Sequence, residues 1–488
     1  MYLGLDLGTS ELKALLLDDR HTVVGTARAP LTVQRPHPTW SEQHPADWWQ
    51  ALEAVMDALH QQHPQALARL QGVGLSGQMH GAVLLGAQDA VLRPAILWND
   101  GRSAAECQRL TTAVAGLHRI TGNLAMPGFT APKLLWVQAH EPAVFAQVKR
   151  VLLPKDWLRL QLTGEAASDM SDASGTLWLD TARRDWSDDV LAACGLDRRH
   201  MPRLLEGSDV SGWLKPQWCQ RWGLPARVPV AAGAGDNAAS AVGMGMVSAG
   251  QGFVSLGTSG VVFLAGDCFQ PNPTQAVHAF CHALPQRWHQ MSVMLSAASA
   301  VTWAAGQLGH RDEAHLMAEA AMLTEAQQDR APFFLPYLNG ERSPHNNPRA
   351  PACWLGMTSA HSRADLAFAV AEGVGFGLRD GWLTLGGRDQ VQSLSLVGGG
   401  ARSAWWSQCL SHILGVPLDV QAGAETGAAL GAARLGWLAA GGDAQAVCAP
   451  PPIAHSLHPQ AATTARFAQR HLRFRALYAA LAPLFPAA

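Results

Sequence analysis

A short loop occurs twice in this chain, about 250 residues apart. The first copy is LDLGTS, Leu5–Ser10, and the second is VSLGTS, Val254–Ser259. Each copy lies between apolar, alternating segments, which predicts a β-hairpin with Gly-Thr-Ser at its turn. Because an internal repeat at half the chain length indicates a duplicated unit, we expect two copies of one α/β unit. Only the first copy carries an acid, Asp6, where the second has Ser255.

The length of 488 residues agrees with two such units, because a single hydrophobic core rarely extends beyond about 250–300 residues. We therefore expect two domains, residues 1–245 and 246–488. The 36 Lys and Arg residues nearly balance the 38 Asp and Glu residues, and the net charge of −2 gives no electrostatic basis for binding nucleic acid or an anionic membrane. A small neutral molecule is the expected partner.

The N-terminal stretch MYLGLDLGTS lacks the basic and apolar regions of a signal peptide, so we expect a cytoplasmic protein. Eight cysteines are scattered without a CxxC pair, which argues against a zinc site or a disulfide framework. The uncharged segment Asn237–Gly266 is long enough for a membrane span, but its glycines would break a single helix. We interpret it as a helix, a turn and a buried strand.

Strand and helix patterns alternate after each repeat, which predicts sheets covered by helices. In the first half, Asp47–Gln65 has helical periodicity and Leu70–Leu85 predicts two buried strands around a loop. In the second half, Ala364–Leu385 predicts a long helix, and the strand Val391–Gly400 is followed directly by another predicted helix, Ala401–Leu414. The Pro-rich stretch Cys448–Gln460 is interpreted as a connector to a last helix.

The two LGTS loops are candidate phosphate sites, because a Gly-Thr-Ser turn presents backbone N–H and hydroxyl groups that suit phosphate oxygens. Two such loops, one in each domain, would grip a polyphosphate from both sides. Asp6 would then lie beside the phosphates, where a carboxylate holds Mg²⁺ directly or through water. An ordinary hairpin turn is the alternative for each loop, and a solvated edge position is the alternative for Lys13. The phosphate candidates are Gly8, Thr9, Ser10, Lys13, Gly257, Thr258 and Ser259.

The VGGGAR stretch places Gly399, Gly400 and Ala401 between a strand and a helix. Three glycines would let the backbone pass under an adenine or ribose, and a nucleotide site needs this order of strand, glycines and helix. A close contact between a helix and a strand is the alternative interpretation.

Asp236 and Asn237 stand in AAGAGDNAAS, a stretch otherwise composed of Gly, Ala and Ser. Asp and Asn both favour the N-terminus of a helix, where they satisfy open N–H groups. Small neighbours also leave room for a substrate hydroxyl to approach Asp236, which would then act as a general base. Both interpretations stay open at this point.

Two polar loops follow predicted strands, and ligands usually bind at such loops in α/β sheets. GQMHG supplies an amide and an imidazole, and WNDGR supplies an indole, a carboxylate and a guanidinium, a mixture that suits a polyol. The alternatives are a structural histidine and a surface ion pair. The candidates are Gln78, Met79, His80, Trp98, Asp100 and Arg102.

Longer segments carry a family resemblance. DLGTS with its repeat SLGTSG, Gly128–Gln138 and Val397–Val420 resemble the signatures of the FGGY family of carbohydrate kinases, which includes glycerol, gluconate, ribulose and xylulose kinases. The resemblance extends over essentially the whole chain. GQMHG, WNDGR, Leu152–Glu165 and Asn339–Pro348 are most similar to the xylulose-kinase branch of that family.

The resemblance implies a two-domain actin/hexokinase-like (ribonuclease H-like) α/β ATPase fold, with mixed sheets flanked by helices and a cleft between the domains. It also implies that ATP with Mg²⁺ phosphorylates D-xylulose at O5, and that the protein is a homodimer. The implied alternatives are a kinase of the same family for another pentulose or polyol, and a non-catalytic actin-like sugar sensor.

The resemblance gives roles to individual residues. It implies that Asp236 is the catalytic base, that Asp6 is the acid near the metal, and that Met79 and His80 contact the sugar. The two LGTS loops correspond to the phosphate loops of the family, and Gly399 and Gly400 correspond to its adenosine loop. We extend the sugar contacts to Gln78, Trp98, Asp100, Arg102 and Asn237.

Overall fold

Two large mixed β-sheets form the framework of the computed structural model, which describes residues 1–422 and 427–485. The strands of the first half are β1 (Tyr2–Leu7), β2 (Glu11–Leu17), β3 (Val23–Pro30), β4 (Glu42–Gln43), β5 (Gly72–Gly77), β6 (Val83–Leu85), β7 (Ala95–Ile96), β8 (Arg150–Leu152), β9 (Ala167–Asp169), β10 (Leu179–Asp180), β11 (Asp185–Trp186), β12 (Arg203–Leu205), β13 (Val210–Trp213), β14 (Pro229–Ala231) and β15 (Ala234–Gly235). The helices of the first half are α1 (Pro45–Gln62), α2 (Pro64–Leu67), α3 (Ala104–Ala113), α4 (Leu117–Thr121), α5 (Thr130–His140), α6 (Pro142–Phe145), α7 (Pro154–Thr163), α8 (Met170–Ser174), α9 (Asp188–Ala193), α10 (Pro216–Arg221) and α11 (Asp236–Met244).

The second half continues the alternation of strands and helices. Its strands are β16 (Gly252–Leu256), β17 (Gly260–Gly266), β18 (His278–Cys281), β19 (Trp288–Met294), β20 (Phe333–Leu335), β21 (Cys353–Leu355), β22 (Leu394–Val397), β23 (Leu418–Gln421) and β24 (Ile453–Leu457). Its helices are α12 (Ala298–Gln307), α13 (Glu313–Ala321), α14 (Glu325–Arg330), α15 (Arg363–Leu383), α16 (Ala404–Leu414), α17 (Gly427–Ala439), α18 (Ala444–Val447) and α19 (Ala461–Leu481).

The two sheets share the order of five strands, β14-β5-β1-β2-β3 in the first and β23-β22-β16-β17-β19 in the second. The first runs β13-β14-β5-β1-β2-β3, with β15 also pairing with β5, and the second runs β24-β23-β22-β16-β17-β19-β18. In each sheet the hairpin that carries LGTS is antiparallel, and its first strand pairs in parallel with the strand that follows a helical crossover. Both predicted hairpins are confirmed, and the matching order supports a duplicated α/β unit.

Helices cover both faces of the first sheet. On one face, α1 and α7 pack around the buried side chains of Trp48, Leu52 and Trp157. On the other face lies α17, a helix of the second half. A Cβ atom added to Gly4 would lie 2.0 Å from the carbonyl oxygen of Ala429, so the helix backbone rests directly on the strand backbone. The second sheet has its own core, built with α15 and α16.

Two local predictions differ from the structure. The helix after VGGGAR begins at Ala404 rather than at Ala401, because Gly399–Arg402 forms a 3₁₀ turn and Ser403 caps the helix by accepting the N–H of Trp406 at 3.3 Å. The Pro-rich connector contains an edge strand, β24, which begins directly after the three prolines 450–452 and pairs with β23.

The uncharged segment Asn237–Gly266 contains the predicted helix, α11, followed by two strands, those of the second hairpin, rather than by one. None of the helices in the described ranges combines the length and the apolar character that crossing a bilayer requires.

Candidate active site

Asp6 and Asp236 lie at the same end of the first sheet. Asp6 on β1 is paired in register with Ser76 on β5, and Ser76 is paired on its other side with Ala234 of β15. Adjacent strands are about 4.8 Å apart, so roughly 10 Å separates the backbones of Asp6 and Ala234. Asp236 follows Ala234 by two residues and opens α11. The structure therefore brings together two acids that are 230 residues apart in the chain.

Burial raises the pKa of both acids. The pKa of Asp6 rises to about 6, first because of burial and then because of the negative charge of Asp236. Burial likewise raises the pKa of Asp236 to about 6. Titratable pairs with raised pKa values cluster at functional sites, because a proton acceptor works best when its pKa lies near the working pH.

Asn237 holds one oxygen of the Asp236 carboxylate. The backbone N–H and the side-chain Nδ2 of Asn237 both donate to Asp236 Oδ1, at 2.7 and 2.9 Å. This fixes the carboxylate and leaves Oδ2 for another partner. Asp236 is also the first residue of α11, so the predicted position at a helix start is confirmed, although Gly235 is the residue that caps the helix.

The surroundings of Asp6 fit a divalent cation. Asp6 Oδ1 is buried and has no hydrogen-bond partner among the described residues. A buried carboxylate oxygen without a donor is a natural ligand for Mg²⁺, which prefers one or two carboxylates together with water and phosphate oxygens. Lys13 lies opposite Asp6 in the β1–β2 register, and its charge lowers the pKa of Asp6, an effect smaller than that of burial.

Thr9, in the first LGTS loop, is bonded to both polar loops of the first half. Its hydroxyl donates to Gln78 Oε1 at 3.2 Å and accepts the indole N–H of Trp98 at 2.9 Å. Its carbonyl oxygen accepts Gln43 Nε2 at 2.7 Å. Because the C=O and the next N–H of a trans peptide point in opposite directions, the N–H of Ser10 points away from Gln43. The loop is thus tied through Thr9 while the Ser10 N–H stays available.

Met79 and His80 extend the site behind Asp236. The thioether of Met79 packs on Gly235, where an added Cβ would lie 2.8 Å from Sδ. His80 adopts a left-handed backbone with φ of 69°, which is uncommon outside glycine and often marks a functional loop. Its Nδ1 lies 2.6 Å from the carbonyl oxygen of Gly175, which fixes the proton on Nδ1. Burial lowers the pKa of His80 to about 3, so the ring is neutral and Nε2 is an acceptor.

Asp100 and Arg102 are bonded mainly to each other. The Asp100 carboxylate accepts Arg102 Nε at 2.9 Å and Arg102 Nη2 at 2.7 Å, and also accepts the backbone N–H of Ser41 at 2.6 Å. The guanidinium lies 3.7 Å over the ring of Trp40 and pairs with Glu42 at 2.7 Å. This network holds the loop that carries Trp98, whose side chain is 46% exposed. The assignment of Asp100 and Arg102 as sugar ligands stays a prediction.

The second LGTS loop sits on the start of α12. The carbonyl oxygens of Gly257 and Thr258 accept the backbone N–H groups of Ala298 and Ala297, both at 3.0 Å. By the same peptide geometry, the N–H groups of Thr258 and Ser259 point away from the helix. The loop therefore offers two adjacent donors, which is the arrangement that phosphate oxygens require.

A groove of about 590 Å³ opens beside this loop. Its walls come from α12, α13 and the glycine turn, and Ala298 belongs both to the groove and to the contact with Gly257. A Cβ added to Gly399 would meet no atom within 4 Å, so this backbone faces open space. The lining includes Ala298, Thr302, Met317, Gly399, Gly400 and Ser403. Ala401 lies in the same 3₁₀ turn as Gly399.

Sequence reasoning missed several of these groups. Gln43, which links Thr9 to Gln78, has no motif around it. Ser76 could have been noticed as a small polar residue at the end of a buried strand. The wall formed by α12 and α13 carries no polar signature, and its Thr302–Glu313 hydrogen bond of 2.6 Å joins the two helices rather than marking a ligand.

Comparisons with known proteins agree with the geometry. The N-terminal domain of the FGGY family of carbohydrate kinases matches residues 1–243, and the C-terminal domain matches residues 252–440. A xylulose kinase of Escherichia coli strain K12 is 53% identical over 487 residues, 99% of this chain and 100% of the relative.

Two solved structures are similar over 99% of both chains. A xylulose kinase from Brucella ovis gives a TM-score of 0.96 at 49% identity, and one from Rhodospirillum rubrum gives 0.92 at 30% identity. The predicted two-domain α/β fold is thereby confirmed. Since both domains of the family are matched in order and a full-length relative shares more than half of its residues, the chain belongs to the FGGY family of carbohydrate kinases.

Proposed function

We propose that this protein is a xylulose kinase, which uses ATP and Mg²⁺ to phosphorylate D-xylulose at O5. The observation that supports D-xylulose as the substrate is the 53% identity to a xylulose kinase over 99% of this chain and 100% of the relative. Kinases for other pentuloses or polyols share the fold, but two relatives that are 53% and 51% identical to this chain are both xylulose kinases.

Asp236 is the general base in this proposal. The sugar hydroxyl lies at Asp236 Oδ2, while Asn237 keeps Oδ1 in place. As the bond from O5 to the γ-phosphorus forms, the bond from that phosphorus to the β-phosphate oxygen breaks and ADP leaves. The hydroxyl proton passes to Asp236, which raises the nucleophilicity of the oxygen. Positioning supplies most of the remaining rate enhancement.

Asp6 is the metal ligand in this proposal, supported by its buried oxygen without a donor. A bound Mg²⁺ ion supplies charge neutralisation at the phosphates during transfer. The N–H groups of Ser10, Thr258 and Ser259 bind phosphate oxygens from two sides. Lys13 adds a positive charge next to Asp6.

The groove beside Gly399 is the proposed site of adenosine. Its volume of about 590 Å³ suits a nucleoside, and the apolar faces of α12 and α13 suit a purine ring. Gly399, Gly400 and Ala401 let the backbone approach the ligand. The neighbouring second LGTS loop would then receive the phosphates.

The sugar pocket is formed by the loops after β5 and β7. His80 accepts a sugar hydroxyl at Nε2, because its Nδ1 proton is committed to Gly175. Met79 forms an apolar wall next to Asp236, and the exposed indole of Trp98 covers a sugar face. Gln78 fixes the loop through Thr9 and Gln43.

We infer that the domain boundary lies near residue 245. Helix α11 ends there at Gly245, which has a φ of +74°, and β16 of the second sheet begins at Gly252. A hinge at this point lets the sheets of the two halves, 1–245 and 246–488, close on the substrates and exclude water, while α17 stays packed on the first sheet. We also expect a homodimer, which light scattering on the purified protein checks.

The deciding experiment measures ADP formation by the purified protein with ATP and Mg²⁺. D-xylulose is compared with D-ribulose, glycerol and no sugar, and O5 phosphorylation is verified by ³¹P NMR. Turnover that favours D-xylulose supports the proposal. Preference for another sugar would show that the protein is a kinase of the same family with a different substrate. Binding of sugar and ATP without formation of sugar phosphate would indicate a sensor.

A further inference from the structure

A buried ionic cluster lies behind the proposed base. The ammonium of Lys155, on α7, contacts three carboxylates: Asp156 and Asp169 at 2.6 Å and Asp172 at 3.0 Å. All four side chains are 0% exposed. Arg159 joins the cluster at 2.5 Å from Asp156. The three aspartates could enclose a metal ion, but Lys155 already supplies the positive charge at their centre.

Burying five ionisable groups is expensive, and a buried ionic cluster is weak evidence for a contribution to stability. The mechanism proposed above uses none of them. Their contacts with backbone therefore indicate what they hold in place.

One chain of contacts leads from the cluster to the proposed base. Asp169 Oδ2 pairs with Lys155, while Asp169 Oδ1 accepts the hydroxyl of Ser171. Since that hydroxyl proton is committed to Asp169, the Ser171 oxygen is left as an acceptor, and it accepts the backbone N–H of Gly235 at 3.1 Å. Gly235 is the residue directly before Asp236.

A second contact holds the same segment from the other end. Arg159 Nη2 donates to the carbonyl oxygen of Ala232 at 2.7 Å. The cluster therefore binds the strand that leads into α11 at two points, three residues apart, immediately before Asp236. Lys155 also packs under Gly77, where an added Cβ would lie 3.2 Å from Lys155 Cβ, next to the loop that carries Gln78 and Met79.

We propose that Ser171 is a positioning residue for phosphoryl transfer, which transmits the fixed geometry of the Lys155–Asp169 pair to Asp236 through the N–H of Gly235. The proposal rests on the proposed role of Asp236 as base. It assigns the cluster to the reaction rather than to general stability. A displacement of a base by about 1 Å lowers turnover by as much as a hundredfold, so a single hydroxyl at this place has a measurable effect on kcat.

The same short helix offers a matched control. Ser174 is also fully buried on α8, and its hydroxyl also accepts one backbone N–H, that of Cys281, at 3.0 Å. Ser171→Ala and Ser174→Ala therefore each remove one buried hydroxyl and leave one buried N–H without a partner, with similar effects on folding. Of these two serines, Ser171 is the one whose hydroxyl accepts the N–H of the residue directly before Asp236.

The experiment compares steady-state kinetics and melting temperatures of the wild type, Ser171→Ala, Ser174→Ala and Asp236→Asn. We expect kcat of Ser171→Ala to fall about tenfold, with KM for D-xylulose and for ATP within about twofold of wild type, whereas Ser174→Ala keeps kcat within about twofold. The acid limb of the kcat profile shifts to lower pH in Ser171→Ala only, because a loosened Asp236 gains access to water. Asp6, the acid on β1 whose charge couples to that of Asp236, is unchanged in both variants.

Equal kcat values for the two serine variants, with Asp236→Asn inactive, would overturn the positioning role and leave the base intact. Full turnover by Asp236→Asn would instead overturn the proposed function. If Ser171→Ala does not fold, Ser171→Cys takes its place, because a thiol fills the site but is a weak acceptor. A kcat for Ser171→Cys equal to that of the wild type would again count against the proposal.

Discussion

The indole N–H of Trp98 donates to the hydroxyl of Thr9 over 2.9 Å, and so joins the proposed sugar pocket to the first phosphate loop. The same hydroxyl donates to Gln78 Oε1, so it has no second proton to give to a phosphate oxygen. Thr9 therefore supports its loop from the side of the proposed sugar pocket, and in the proposed mechanism the N–H of Ser10 binds the phosphate.

Replacing Trp98 with Phe tests this link. The variant keeps an aromatic face for the sugar but loses the bond to Thr9, which is worth about 0.5–1.5 kcal/mol. We expect kcat to fall about threefold to tenfold, with a smaller change in KM for D-xylulose. Trp213→Phe is the control, because Trp213 has a similar exposure, 42% against 46%, and lies on the edge strand β13. Equal kcat values for Trp98→Phe and Trp213→Phe would show that the hydrogen bond between Trp98 and Thr9 does not affect turnover.

Asp236→Asn separates the chemistry from binding. The amide keeps the shape of the side chain but does not accept a proton, so we expect kcat to fall at least about a hundredfold, the lower range for general base catalysis. The dissociation constant for D-xylulose, measured by calorimetry, stays within about threefold of the wild type, since one hydrogen bond is at stake. A kcat near that of the wild type would show that another group takes the proton.

The same variant should be more stable than the wild type. The folded-state pKa of Asp236 is about 6, above the unfolded value, so the unfolded chain releases its proton first and stability is lost as pH rises from about 4 to 6. An amide avoids this loss, and we expect about 1–3 kcal/mol of added stability at pH 7.5 and no gain at pH 3.5. Urea unfolding at the two pH values measures the difference. A destabilised variant at pH 7.5 would contradict the raised pKa.

Turnover should depend on pH through the same group. Below its pKa of about 6, Asp236 is protonated and does not accept the hydroxyl proton. We expect kcat/KM to fall at least about tenfold for each pH unit below 6 and to be level above 7, and protonation of Asp6, whose pKa is also about 6, makes the fall steeper where Mg²⁺ does not hold that carboxylate ionised. His80 does not contribute, because its pKa of about 3 keeps it neutral across this range. A stopped assay in constant-ionic-strength buffers from pH 5 to 8 gives the profile, and an acid limb centred near pH 4 would contradict it.

Asp6→Asn tests the metal site. Loss of the carboxylate charge removes a ligand that Mg²⁺ prefers, so we expect the Mg²⁺ concentration for half-maximal rate to rise at least about tenfold at fixed ATP. Glu11→Gln is the control, since Glu11 lies on the neighbouring strand and pairs with Arg28. An unchanged magnesium titration in Asp6→Asn would exclude Asp6 as a ligand.

Gly399→Val tests the adenosine groove. The added side chain enters open space, so the fold tolerates it, but it takes volume from the proposed ligand. We expect KM for ATP to rise about tenfold, with KM for D-xylulose and the melting temperature unchanged. Gly400→Ala is the contrast, since its Cβ would lie 2.8 Å from Leu256 Cβ and lower the melting temperature. An unchanged KM for ATP would place adenosine elsewhere.

The elements that sequence predicted well have local signals. The hairpins around LGTS follow from alternating apolar residues and a Gly-Thr-Ser turn, and α15 follows from helical periodicity behind the cap residue Ser362. The start of α16 was predicted three residues too early, because glycines before a helix give no boundary and Ser403 was not recognised as the cap. The edge strand β24 was missed because three prolines masked the alternating residues behind them.

In the candidate site, too, some residues have a local sequence signal, whereas the contacts between them depend on the fold. Asp6 and Asp236 stand in unusual local contexts, and so the sequence alone makes them candidates. Their proximity depends on β5 lying between β1 and β15, which no short segment specifies. The contact of Ser171 with Gly235 joins residues 64 positions apart, and nothing near Ser171 indicates it.

The shared strand order has a consequence for the origin of the two ligand loops. In the first sheet, Gln78–His80 follows β5, the parallel neighbour of β1; in the second, Gly398–Ala401 follows β22, the parallel neighbour of β16. The proposed sugar loop and the proposed adenosine loop are therefore counterparts. When one unit is copied within a gene, each copy is free to diverge. Here the loop after β5 carries the imidazole of His80, whereas the corresponding loop after β22 consists mainly of glycine. The difference between Asp6 and Ser255 lies in the neighbouring loop, and it is a divergence expected when two copies of one unit take on different roles.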